Sequence, residues 1–240
     1  MRKTIGSNHS HDNSTAGLGL IFRNIILGGQ DGVVNVLGIV LGVATATNNT
    51  YLVLLAGLAA TFAESISMAA VAYTSTRAEV EHYESEVRKQ IREIEQTPEK
   101  AKEDIREIYE KKEIGGKLLD QIVEKISSNK RIWIETMMRE ELRLENPSEG
   151  MSPFTQGILV GFSAVVGSFV PLLPFFFLPV SQSIIPSLAA SLAVLFLLGA
   201  YKSKLTSGKW LKGGLELMII GGTAALAGYL VGVFFQVPAA

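Results

Sequence analysis

Charge sorting is the feature that most restricts what this chain can become. All 22 Lys and Arg of its 240 residues fall in three stretches, residues 1–23, 75–150 and 202–212. Nineteen of the 23 Asp and Glu lie in the second stretch, and Asp12 lies in the first. Only Asp31, Glu64 and Glu216 remain for the rest of the sequence, which is strongly apolar. A soluble fold needs charge around its whole surface, and this chain withholds it from long runs.

Those runs have membrane length. A helix needs about 20 mostly apolar residues to cross a hydrocarbon core of roughly 30 Å. Residues 24–47, 51–74, 153–178, 184–201 and 213–235 each qualify. Backbone groups in lipid must be satisfied internally, so helices are expected, and the alternation of a β-barrel is absent. The first run is no cleavable signal peptide: it is too long and lacks a small-residue cleavage site. A polar turn, Thr47-Asn48-Asn49-Thr50, leads straight into the second run.

Five spans place the intervening segments alternately on two sides. The N-terminal tail, the 75–150 block and the 202–212 loop share one side and hold every basic residue. The Asn48–Asn49 turn, the 179–186 loop and the C-terminal end share the other and hold none. Basic residues favour the cytoplasmic face, so the tail and the block are expected in the cytoplasm. The domain plan is then a tail at 1–23, spans 1 and 2 over 24–74, a helical insert over 75–150, and spans 3–5 over 151–240. The fold class is an all-α membrane protein with five transmembrane helices and a cytoplasmic helical domain between spans 2 and 3.

Within the spans, glycine recurs at Gly28, Gly29, Gly32, Gly38 and Gly42, and again at Gly213, Gly214, Gly221, Gly222, Gly228 and Gly232. Small residues let helix backbones approach where lipid offers no hydrophobic drive between helices, so a compact bundle is expected. Pro171 and Pro174 predict a bend or a break in span 3. A bend is a purely structural feature, whereas broken helices line ion paths in transporters.

The 75–150 block is different material. Val80, Tyr83, Val87, Ile91 and Ile94 recur at three- and four-residue steps, which marks an amphipathic helix continuing span 2. Thr97-Pro98 ends it, and a second helix carries Ala101, Ile105 and Ile108. Gly115-Gly116 breaks again; a third helix carries Leu118, Leu119, Ile122, Val123 and Ile126, and a fourth covers about 130–145. Its many acids read by default as a solvated face. One element is more specific: Met137 and Glu141 are four apart, with Met138 adjacent. Thioether beside carboxylate suits a soft-to-borderline transition metal better than Ca²⁺ or Mg²⁺, although such methionines serve more often as core packing.

An ionisable group inside a span costs at least about 2.5–3.5 kcal/mol near the bilayer centre, which makes each such residue a functional candidate. Asp31 is followed one turn later by Asn35, and Glu64 one turn later by Met68. Two spans joined by a tight turn thus each present an acid and a second donor, a cation ladder of Asp31, Asn35, Glu64 and Met68. The bland alternative is an acid hydrogen-bonded to a polar side chain of another helix. Glu216 lies near Lys212 and can pair with it at the surface. His9, His11 and His82 are weaker candidates. A net charge of −1 removes a case for nucleic-acid binding, and the absence of cysteine removes thiolate sites and redox pairs. No phosphate-cradling loop and no nucleophile–base pair is present, so no enzyme activity is expected.

Asp31-Gly32-Val33-Val34-Asn35-Val36-Leu37-Gly38 resembles the first-span signature of the vacuolar iron transporter family. Ser65-Ile66-Ser67-Met68-Ala69-Ala70 resembles its second-span signature, and Pro171-Leu172-Leu173-Pro174-Phe175 its third. Pro98-Glu99, Glu107-Ile108-Tyr109 and Met137-Met138-x-x-Glu141 match the layout of its middle block. The likeness runs from about residue 21 to 235. It implies a five-span homodimer whose cytoplasmic domain binds metal. It also implies export of Fe²⁺ from the cytosol in exchange for protons, with Mn²⁺ or other divalent ions such as Zn²⁺ as further cargo and no permanently bound cofactor. The family's first-span aspartate and second-span methionine correspond to Asp31 and Met68. Its Met-Met-x-x-Glu element is Met137, Met138 and Glu141. Its two glutamate pairs fall at Gln90/Glu93 and Ala101/Asp104, so two of four acids are lost, with Glu107 a substitute. The membrane is the cell membrane in a prokaryote, which the short tails favour, or the vacuolar membrane in a eukaryote. The rival class is a non-transporting, membrane-anchored metal buffer or sensor, and a third is a passive channel.

Overall fold

The computed structural model describes residues 9–147, 150–206 and 208–236, with side chains from residue 18 onward. The described residues are helical, without strands. The helices are α1 (His9–Thr47), α2 (Thr50–Gln96), α3 (Pro98–Glu110), α4 (Gly116–Ser127), α5 (Lys130–Thr136), α6 (Pro153–Phe177), α7 (Val180–Thr206) and α8 (Trp210–Phe234). A π-helical turn, Met137–Glu141, follows α5. Five helices are long and apolar enough to cross a membrane: α1 from Leu18, α2, α6, α7 and α8. The chain divides into two compact units, residues up to Thr74 with those from Ser152 onward, and Ser75–Met151. Helix α1 begins well before the apolar pattern does, so His9 and His11 lie on a helix; their side chains fall outside the described ones.

The α1–α2 turn shows how two polar residues reverse an apolar chain. Asn48 takes the left-handed conformation, φ 47°, which asparagine tolerates better than most residues. Asn49 then accepts hydrogen bonds from the N–H of Tyr51 at 2.9 Å and Leu52 at 3.2 Å, capping α2. The Asn48 N–H bonds the Ala44 carbonyl at 3.0 Å, closing the last turn of α1.

In the first unit, helix backbones meet through glycine. A methyl group at Gly28 would strike the Val160 carbonyl, one at Gly32 the Ala164 carbonyl, and one at Gly167 the Gly29 carbonyl, so α1 and α6 run backbone against backbone. Gly42 and Gly228 do the same for α1 and α8, as do Gly199 and Gly213 for α7 and α8. Val36, Val40, Val53, Leu172 and Phe175 fill the space between α1, α2 and α6. Helix α6 continues through Pro171 and Pro174 rather than breaking. Serines of α7 support that stretch: Ser187 Oγ donates to the Pro171 carbonyl at 2.7 Å and Ser183 Oγ to the Pro174 carbonyl at 3.2 Å.

In the second unit, Ile94, Ala101, Ile105, Leu119, Val123, Ile126, Trp133 and Met137 form one apolar core. These are the stripe residues of α3 and α4 joined by the end of α2 and the start of the π turn. Arg106 and Asp120 tie α3 to α4 at 2.8 Å. Asn129 caps α5 by accepting from the N–H of Arg131 and Ile132. The fourth helix is shorter than its 130–145 pattern suggests. Its α-geometry ends at Thr136, and the Leu142 N–H bonds the Met137 carbonyl five residues back.

Candidate functional site

Asn35 and Glu64 meet inside the membrane unit. Asn35 Nδ2 donates to Glu64 Oε1 at 2.6 Å, across the pair of helices that the Asn48–Asn49 turn folds together. Asp31, one turn before Asn35, is near enough to Glu64 for the two carboxyl groups to interact. The other Glu64 oxygen, Oε2, is buried without a hydrogen-bond partner. A buried oxygen without a donor is costly and stands ready for a proton or a cation. Met68 is half-buried one turn further along α2. Asn35 and Glu64 also line a groove of about 920 Å³ whose other walls are mostly apolar and small, among them Gly38, Gly42, Ala60 and Ala63. Glu216 is exposed on α8, and no ion pair joins it to Lys212 among the described residues.

The second unit gathers a second set of acids by a different route. Glu93 near the end of α2, Asp104 on α3 and Glu141 at the end of the π turn act on one another electrostatically. Burial pushes the Asp104 carboxyl above the ordinary range; repulsion from Glu93, Glu107 and Glu103 adds to this and Lys100 opposes it. Burial likewise raises Glu141, with Asp104 and Glu93 adding and Lys100 opposing. Raised carboxylate values mean that the folded unit holds these protons more tightly than the unfolded chain does, so the gathered charges cost stability at neutral pH. Among the described residues, no three Asp, Glu or His side chains are arranged to grip a metal ion directly. Glu107 is exposed and pairs with Lys111 at 3.4 Å. His82 is exposed on α2.

The two methionines divide. Both are buried, at 0% and 1% exposure, because the π turn admits an extra residue per turn and carries both side chains inward. Met137 belongs to the apolar core, whereas Met138 does not. Met137→Ala therefore destabilises this unit by about 2–5 kcal/mol. Met137→Leu keeps the volume and holds the loss below about 1.5 kcal/mol. Denaturant titration of both variants checks the difference, and a drop in metal affinity for the leucine variant at unchanged stability would make the sulfur a ligand instead.

Two residues near the acids carry information that spacing alone conceals. Lys100 Nζ sits 2.5 Å from Glu93 Oε1, seven residues away across the Thr97–Pro98 break. Gln90 is 5% exposed and its Oε1 lacks a partner. Both depend on how α3 folds back on α2, which no single-helix periodicity describes.

The sequence profile of the VIT family matches residues 22–233. The chain is 30% identical over 222 residues to vacuolar iron transporter 2 of Oryza sativa subsp. japonica, covering 92% of this chain and 89% of that protein. It is 29% identical to vacuolar iron transporter 1 of Arabidopsis thaliana, covering 98% of this chain and 93% of that one. The vacuolar iron transporter of Plasmodium berghei is 30% identical, with coverage of 89% of this chain and 82% of that protein. The match extends over all five apolar helices and the helical unit inserted among them, and the chain belongs to the VIT family as a multi-pass integral membrane protein.

Proposed function

We infer that this protein is an iron transporter, moving Fe²⁺ out of the cytosol in exchange for protons, with Mn²⁺ as a second cargo. Its relatives are named vacuolar iron transporters, which supports the iron assignment. The observation that carries the mechanism is the bonded pair Asn35–Glu64 beside Asp31, with one buried Glu64 oxygen left without a partner. A carboxylate in such a place can hold either a proton or a metal ion, and alternation between the two is the simplest basis for exchange. Asp31, Asn35 and Glu64 supply hard oxygen, and Met68 supplies a thioether that favours transition metals over Ca²⁺ and Mg²⁺.

The acidic unit serves as the collecting site on this reading. Glu93, Asp104, Glu141 and Met138 take up cytosolic metal, with Glu107 at the margin and Met137 supporting from the core. The excess of basic residues on that unit and the N-terminal tail supports a cytoplasmic side for both. The protein works as a homodimer and is not an enzyme.

Reconstitution in liposomes tests the proposal. Fe²⁺ and Mn²⁺ are expected to cross, faster when an imposed pH gradient drives protons the opposite way, while Ca²⁺ does not. Flux that ignores the gradient would make the protein a passive channel. Metal binding without any flux would make it a buffer or sensor anchored by its helices.

A further inference from the structure

We propose that Lys100 is a tethered competitor for the acidic unit's metal site, occupying Glu93 until a divalent cation displaces it. This rests on the reading of Glu93, Asp104 and Glu141 as a metal-collecting cluster and adds how its occupancy is set.

The geometry is specific. Lys100 is on the first turns of α3, immediately beyond the Thr97–Pro98 break, and its ammonium reaches back 2.5 Å from Glu93 Oε1. It feels not only Glu93 but also Asp104 and Glu141, so one cation addresses all three carboxylates. Those carboxylates repel one another, and Lys100 is the charge that opposes the repulsion at both Asp104 and Glu141. Neighbouring lysines are engaged elsewhere: Lys102 with Glu99 at 2.8 Å, and Lys89 with Glu86 at 2.5 Å. With the ammonium on Glu93, no three acids among the described residues are arranged to hold a metal ion, so on this reading uptake requires Lys100 to leave.

Two charges of one sign cannot share that position. A divalent ion entering the cluster must move the ammonium off Glu93, and the Lys100 side chain, 66% exposed, has solvent to move into. The exchange is cheap because an exposed ion pair is weak, with a contribution equivalent to roughly a two- to fivefold change in an equilibrium constant. A weak internal competitor raises the metal concentration at which the unit loads and returns the carboxylates to a paired state when metal leaves.

The test is titration of the full chain in detergent with Mn²⁺, followed calorimetrically. The E93Q/D104N/E141Q triple variant identifies the binding that belongs to the cluster. Lys100→Met is expected to tighten that binding by about two- to fivefold. It is also expected to enlarge the rise in Tm on adding Mn²⁺, since the metal-free carboxylates then lack their counter-charge. Lys100→Arg keeps the competitor and is expected to behave as the parent. Lys102→Met removes a charge two residues away that is paired elsewhere, and is expected to leave the affinity unchanged. Unchanged affinity in Lys100→Met, with cluster binding intact, would overturn the competitor while leaving the collecting site standing. Equal tightening by Lys102→Met would also overturn it, as an effect of general charge. If the triple variant binds Mn²⁺ as well as the parent, the collecting site falls and the competitor with it.

Discussion

Asp31→Ala lowers Fe²⁺ flux into liposomes by about tenfold or more, and Met68→Ala lowers it to a comparable degree. Removing one charged interaction from a buried polar site costs about 1.5–3 kcal/mol, which is roughly 10- to 100-fold in a rate or affinity. Asn35, one turn along the same helix face, carries no charge and already donates to Glu64. Loss of Asp31 therefore leaves Glu64 as the one carboxylate of the set. Asp31→Asn separates charge from shape: if charge is what the cation needs, this variant fails as fully as alanine. Glu216→Gln is the matched control, an exposed acid of α8 outside the cluster, and is expected to retain parental flux. Parental flux in both Asp31→Ala and Met68→Ala would show that cargo takes another path.

The second large effect is on folding. Gly167→Val is expected to abolish recovery of monodisperse protein in detergent, and Gly28→Leu likewise. A side chain at Gly167 meets the carbonyl, carbon and Cα of Gly29, and one at Gly28 meets the Val160 carbonyl. Overpacking against side chains costs about 1–3 kcal/mol because they can rotate away. Here the obstacle is helix backbone, so α1 and α6 must separate, with loss of the packing on which membrane helix association depends. Gly222→Ala has nothing within reach of its added methyl and is expected to be neutral. Size-exclusion profiles and thermal stability of the three variants decide the matter, and normal behaviour of Gly167→Val would refute the tight crossing.

Spacing alone recovers part of the membrane site. Asp31/Asn35 and Glu64/Met68 each share a helix face because four residues make about one turn, and the short Asn48–Asn49 link makes the two helices neighbours. Which rungs face each other is a different question. Asn35, whose amide can donate, bonds Glu64 while Asp31 stands beside it as a second carboxyl, and that grouping depends on how α1 seats by its glycines against α6 and α8. The acidic unit was less legible. An α-helical count puts Met137 and Glu141 on one face, but the π turn breaks that count and turns both methionines inward. Propensity does not announce a π turn, which is held by the packing around it.

What the sequence by itself determined is the class of object. Length, apolar runs and the sorting of 22 basic residues dictate five membrane helices and one charged helical insert, because lipid tolerates neither open backbone nor stray charge. What only the tertiary structure decided is which donors stand within reach of one another. Glu64 with Asn35, and Lys100 with Glu93, are pairs set by how one helix lies on the next, to a fraction of an ångström that no residue pattern carries.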